Sequence, residues 1–164
     1  MSSAHAPPAS SVARSLPAAR RTVGIYSIGA GARVRSVDRD REIVVADGAP
    51  PAIGPYSHAV RVGGLLFCSG QIPLDPSTGE IVGETAGEQA RRCLENLTAV
   101  CAAAGASLGR AVRLTVYMTD LAAFAEVNEV YGSFFGSEPP ARVAVEVAGL
   151  PRGAQVEIDA IVAA

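Results

Sequence analysis

One arginine and three acids fall on two alternating segments toward the C-terminal end. Arg142 and Glu146 lie in ARVAVEVA (141–148), Glu157 and Asp159 in QVEIDAIV (155–162). Each segment repeats its apolar residues with period two, the pattern of a strand with one buried face. Val143, Val145 and Val147 share one side of the first; Val156, Ile158, Ala160 and Val162 share one side of the second. Pairing the two as a hairpin across GLPRGA (149–154), with both apolar sides buried, would set Arg142, Ala144 and Glu146 on the same opposite face as Glu157 and Asp159. Such a surface would combine a side chain that can grip a carboxylate with two hydrogen bonds and side chains that can move a proton.

Other chemistries are excluded by residues that are absent. All fourteen basic residues are Arg. Without Lys there is no Schiff base, no covalent hold on pyridoxal phosphate, no class I aldolase chemistry and no P-loop. Only His5 and His58 are present, which leaves no credible zinc site. The three Cys (Cys68, Cys93, Cys101) form no C-x-x-C; Cys93 and Cys101 fall on the apolar stripe of an expected helix. They read as small buried hydrophobes in a reducing compartment. Residues 1–41 carry seven Arg against two acids, whereas residues 42–164 carry seven Arg against fourteen acids. The acidic body argues against nucleic-acid binding. No apolar run approaches the roughly 20 residues of a membrane helix.

The elements that must position these residues begin near Glu42. Residues 1–41 are rich in Ala, Ser, Pro, Gly and Arg without a sustained amphipathic repeat. They read as a disordered extension, with a transit peptide or an upstream translation start as alternatives. Residues 42–164 read as one domain. A strand is expected at 42–47, then a Pro/Gly-rich loop (GAPPAIGPYS, 48–57), then strands at 58–62 and 65–69 joined by Gly63-Gly64, a hairpin signal. PLDPSTG (73–79) is a turn, with a short strand at 80–82. Residues 85–104 carry Ala86, Ala90, Cys93, Leu94, Leu97, Val100, Cys101 and Ala104 at helical spacing; Thr85 with Glu88 fits a capping box and Gly105 a stop. A strand follows at 110–118. A second helix is expected at 121–135, with Asp120 as N-cap and Leu121, Phe124, Val127, Tyr131, Phe134 and Phe135 on its stripe. The order β-β-β-α-β-α-β-β predicts an α+β domain, two helices on one face of a mixed sheet, with the other face covered by further subunits.

Four segments together resemble the RidA/YjgF family: GPYSHAV (54–60), FCSGQIPLDPSTGE (67–80), PPARVAVEVAGLP (139–151) and VEIDAIVA (156–163). The resemblance spans residues 42–164. It implies a chorismate-mutase-like fold and a homotrimer with active sites in the clefts between subunits. It also implies hydrolysis of reactive 2-imino or enamine acids, such as 2-aminoacrylate and 2-iminobutanoate, to 2-oxo acids and ammonia. Arg142 would then hold the substrate carboxylate, and Glu157 would orient or activate water and help protonate the departing ammonia. Tyr56 would wall the pocket, Ser69 and Gly70 would approach the ligand, Asn128 would stand near it, and the carbonyl of Ala144 would contact substrate or water. No cofactor and no metal are implied, and cytoplasmic localisation is expected.

From the residues alone, blander readings stand beside these. Glu157 is one more acid on a solvated strand face, Tyr56 a core aromatic, Ser69-Gly70 ordinary strand-to-turn chemistry and Asn128 a locally satisfied helix residue. His58 reads as an exposed strand residue rather than a base. Two departures from the family bear on substrate range. Ala144 stands where many members have Cys, Ser or Thr, and the link GSEPPA (136–141) is short and lacks the usual aromatic before Arg142. Related activities on 3-aminoacrylate or 2-aminomuconate, or a non-catalytic ligand-binding trimer, are the alternatives; ribonuclease activity fits the acidic body least.

Overall fold

The computed structural model describes the backbone of two strands, β1 (Ile25–Ser27) and β2 (Ala32–Asp38), and the whole of residues 41–164. The rest of the segment read as a disordered extension lies outside the described residues. The two strands that fall within it pair antiparallel with each other, and β2 pairs antiparallel with β3. From β3 onward the elements follow the expected order: β3 (Arg41–Ala46), β4 (Ala59–Val62), β5 (Leu65–Gln71), α1 (Ala86–Ala103), β6 (Ala111–Met118), α2 (Phe124–Phe135), β7 (Ala141–Glu146) and β8 (Val156–Ala163). The strands form one mixed sheet in the order β1-β2-β3-β4-β5-β8-β6-β7.

Local chemistry accounts for the elements. Gly63 and Gly64 both take positive φ (56° and 78°) in the two-residue turn between Val62 and Leu65, a conformation that glycine adopts without strain. The α1 capping box is complete: Thr85 Oγ1 accepts from the Glu88 amide at 3.2 Å, and Glu88 Oε2 accepts from the Thr85 amide at 3.3 Å. Every residue of the expected α1 stripe is buried, against Leu66, Leu114, Val116, Met118, Val156, Ile158, Ala160 and Val162 of the sheet. All three thiols are buried and free. That of Cys68 lies far above the ordinary range, chiefly through its hydrogen bond with Cys101 and then through burial.

Several expectations need correction. The last two strands are not a hairpin. β7 runs parallel to β6, and β8 inserts between β5 and β6, antiparallel to both. Because α2 lies between β6 and β7, the chain returns to the same end of the sheet before β7 starts, and a parallel pairing results. A period-two pattern says which residues share a side, not which strand is the neighbour. The face of β7 is inverted as well. Arg142, Ala144 and Glu146 pair with Leu114, Val116 and Met118, which point at the helices, whereas Val143 and Val145 pair with Thr115 and Tyr117 on the open face. Val143 and Val145 are 37% and 36% exposed there, instead of buried. The second helix also starts later: residues 121–123 form a 3₁₀ turn capped by Asp120 Oδ1, which accepts from the Ala122 amide at 2.8 Å. The expected strand at 80–82 is a single bridge between Leu74 and Ile81.

Candidate active site

The segment SGQIP leaves the regular ladder. Cys68 pairs with Ala160 and Gln71 with Ile158, so two residues, Ser69 and Gly70, oppose the single Asp159. This is a β-bulge, which bends the strand and re-aims its groups. Gln71 fastens it, its side-chain amide donating to the carbonyls of Ser69 and Gly70, both at 3.2 Å. Ser69 Oγ donates to the Ser57 carbonyl at 2.7 Å, tying the Pro-rich loop to the bulge. His58, expected on an exposed strand, is instead buried beneath that loop. Its Nδ1 accepts from the Ala46 amide at 3.0 Å and its Nε2 donates to the Pro50 carbonyl at 2.8 Å. Two backbone groups that burial would otherwise leave unpaired recruit the imidazole, a requirement invisible in the strand pattern.

Over the bulge sits Glu157. A Cβ on Gly70 would overlap the Glu157 carboxylate, so only glycine leaves the acid its place. Ile53, Tyr56, Ser69, Gly70, Ile72, Pro151 and Glu157 surround a cavity of about 350 Å³. Burial, and secondarily the neighbouring Asp159, push the Glu157 carboxyl above its ordinary value. Among the described residues no side chain donates to it, which leaves its oxygens for a ligand or water. Asp159 is engaged elsewhere, accepting from the Tyr117 hydroxyl at 3.0 Å. Two buried amides hold these elements in place. Gln89, 3% exposed, accepts from the Gln155 amide at 2.8 Å and donates to the Gly83 carbonyl at 3.0 Å; Asn96, 1% exposed, donates to the carbonyls of Ile72 and Leu74 at 3.3 and 3.0 Å. Sequence reading missed both, because a polar residue in a helical pattern gives no sign of which way it points.

Arg142 is not in this cavity. It lies on the helix side of β7, where its Nη1 donates to Asn128 Oδ1 at 2.8 Å. Its guanidinium carbon lies 4.6 Å from the ring centre of Tyr131 and 5.2 Å from that of Phe124. No carboxylate pairs with it among the described residues. Ala144, two residues on, packs against the core from the same side. The expected site residues therefore fall into two groups within the chain: Tyr56, Ser69, Gly70 and Glu157 in one, and Arg142, Asn128 and Ala144 in the other. Among the described residues no group of three His, Cys, Asp or Glu gathers as a metal site, and no helix is long and apolar enough to cross a membrane.

The fold and these groups define a class: an α+β protein with a carboxylate-lined cavity at a sheet bulge and an unneutralised arginine at the sheet edge. Comparison with known proteins places the class. Residues 47–164 match the family model described as Endoribonuclease L-PSP. A RutC family protein of Sinorhizobium fredii, y4sK, is 51% identical over 121 residues, covering 74% of this chain and 96% of its own. The mouse 2-iminobutanoate/2-iminopropanoate deaminase is 45% identical over 121 residues, covering 74% and 90%. The crystal structure of Escherichia coli TdcF with bound serine superposes with a TM-score of 0.70 at 46% identity, covering 74% of this chain and 98% of TdcF. The chain belongs to this family, the one that RidA and YjgF also represent.

Proposed function

We propose that the protein hydrolyses small 2-imino or enamine acids, such as 2-aminoacrylate and 2-iminobutanoate, to 2-oxo acids and ammonia in the cytoplasm. The site would be completed between copies of a homotrimer, the Glu157 cavity of one subunit facing Arg142 of the next. The observation that carries this reading is the division of the site. Among the described residues Glu157 and Arg142 each stand without a protein charge partner, yet on opposite sides of one sheet. The open sheet face also exposes Val45, Phe67, Val143 and Val145, an apolar surface suited to burial against a second copy.

The chemistry follows from the two groups. Arg142 takes the substrate carboxylate through its remaining N–H groups, placing the C=N carbon over the bulge. Water adds to that carbon while Glu157 accepts its proton and passes it to the imine nitrogen, giving a carbinolamine. The same acid, its pKa raised by burial, then takes the hydroxyl proton and delivers it to the amine, so that the C–N bond breaks, ammonia leaves and the C=O forms. The names of the mouse and Escherichia coli relatives support this reading, and the serine bound to TdcF carries the same arrangement of carboxylate and nitrogen-bearing carbon. The short link before Arg142 bears on substrate range, and an activity on 3-aminoacrylate or 2-aminomuconate is the second reading.

The test is a coupled assay. A threonine or serine dehydratase generates the imine, and 2-oxo acid appearance is followed with and without this protein, with Arg142→Ala as control and sedimentation to count subunits. Acceleration that vanishes in the variant supports the proposal. A folded trimer that gives no acceleration on these imines, but does on the two alternative substrates, supports the second reading. No turnover of any, with 2-oxo acids bound, points to a ligand-binding module.

A further inference from the structure

Phe124, Asn128 and Tyr131 follow one another at i, i+4 and i+7 along α2, on one face of the helix, and all three meet the Arg142 guanidinium. The sequence pattern alone sends the two aromatics into the core stripe. Two features argue for a more specific task. Tyr131 is 4% exposed, yet its hydroxyl finds no partner among the described residues. What holds this side chain in place is therefore its ring, which also packs against Phe135, with ring centres 4.7 Å apart and planes tilted by 46°. Phe124 is left partly exposed beside the guanidinium instead of sinking into the core.

We infer that Phe124 and Tyr131 are positioning residues, a pair of π faces that hold the Arg142 guanidinium in place without neutralising it. This rests on the reading of Arg142 as the carboxylate anchor. The physical reason is competition. An acid beside Arg142 would order it equally well, but its carboxylate would occupy the N–H groups that the substrate needs. An aromatic face attracts the cation through its quadrupole and leaves the N–H edge free. Asn128 adds one neutral hydrogen bond that sets the rotation of the plane. The cost of ordering a long side chain is thus met before ligand arrives, which raises affinity.

The experiment uses the full-length chain and 2-oxobutanoate as probe, a 2-oxo acid that binds without turnover. Its affinity is measured by calorimetry for Phe124→Leu, Tyr131→Leu, Tyr131→Phe and Arg142→Ala. The Nε–H resonance of Arg142 is followed by NMR in the unliganded protein. Each Leu variant is expected to weaken binding by about 2- to 30-fold, the span of one cation–π contact. Each should also move the Arg142 resonance out of its ring-current-shifted position. Tyr131→Phe, which keeps the ring, should rescue both. In turnover the Leu variants should raise KM with kcat largely retained. Because Tyr131 is buried, fluorinated phenylalanines placed at position 124 provide a variant of nearly unchanged size: affinity should fall stepwise with each added fluorine. A flat fluorine series, or Leu variants that bind as the parent does while Arg142→Ala does not, overturns the inference and leaves the anchor reading intact. Equal binding by Arg142→Ala overturns the anchor reading, and this inference with it.

Discussion

The two halves of the proposed site are built by different means. The Glu157 half is made by backbone: a bulge, a glycine that clears space, and buried amides on α1 that pin the neighbouring segments. The Arg142 half is made by side chains from one helix around a residue on an edge strand. The difference predicts rigidity on one side and tunability on the other. Changes to the buried amides that support the first half should disturb fold and chemistry together; changes to the Glu157 carboxylate, or at the second half, should alter activity or ligand affinity while the fold stands.

The largest expected effect tests whether the halves belong to one site. Arg142→Ala should reduce kcat/KM by about 10²- to 10³-fold, the scale for losing one partner of a desolvated charge pair. Glu157→Gln should cost about 10²- to 10⁴-fold through lost proton transfer. Co-refolding the two inactive chains should restore activity, since in the proposed trimer about a quarter of the clefts of a mixed assembly would pair an intact Glu157 with an intact Arg142. Steady-state rates of the mixture against each variant alone decide this, and a mixture as dead as its parts would mean that the two groups do not meet across subunits.

The same Glu157→Gln variant separates chemistry from stability. A carboxyl raised by burial is favoured in its neutral form by folding. Its contribution to stability is therefore present below the ordinary carboxylate range and lost as pH rises through the raised value. Thermal melts at pH 7 should find Glu157→Gln no less stable than the parent, and its advantage should vanish when the scan is repeated at pH 3–4. A marked loss at neutral pH would mean that the charged form is held by contacts in the fold.

Gly70→Ala should come next. Its methyl displaces the Glu157 carboxylate, so activity should drop about 10- to 100-fold, the scale for a misplaced catalytic group. Stability should change little in denaturant titrations, because the displaced atoms are the far end of a side chain that borders the cavity. Asn96→Ala leaves the carbonyls of Ile72 and Leu74 without their buried donor and should cost about 1–3 kcal/mol. It should also depress kcat, because Ile72 lines the Glu157 cavity. Thr85→Ala removes a helix cap distant in role from either half: about 1 kcal/mol of stability and unchanged KM.

Much of the fold was legible because it follows from local rules. The Gly63-Gly64 turn, the Thr85 box and the α1 stripe each depend on residues within a few positions of one another. The partners of β7 did not. ARVAVEVA has the same alternation whichever strand lies beside it, and reading the valines as the buried side was reasonable for a hairpin. The intervening helix and the central place of β8 assign β7 to β6 instead. His58, Gln89 and Asn96 were opaque for a related reason: each serves a backbone group far along the chain.

The site divides on the same line. Residue types and strand alternation singled out Arg142, Glu146, Glu157 and Asp159 as groups able to capture a carboxylate or move a proton; the resemblance to the family gave Arg142 and Glu157 their roles and added Tyr56, Ser69, Gly70, Asn128 and Ala144. Only the tertiary structure decided which of them stand together. Sidedness of a strand is set by what packs on each face, and α2, packing on the face that bears Arg142, turned that residue away from Glu157 and toward Asn128, Phe124 and Tyr131.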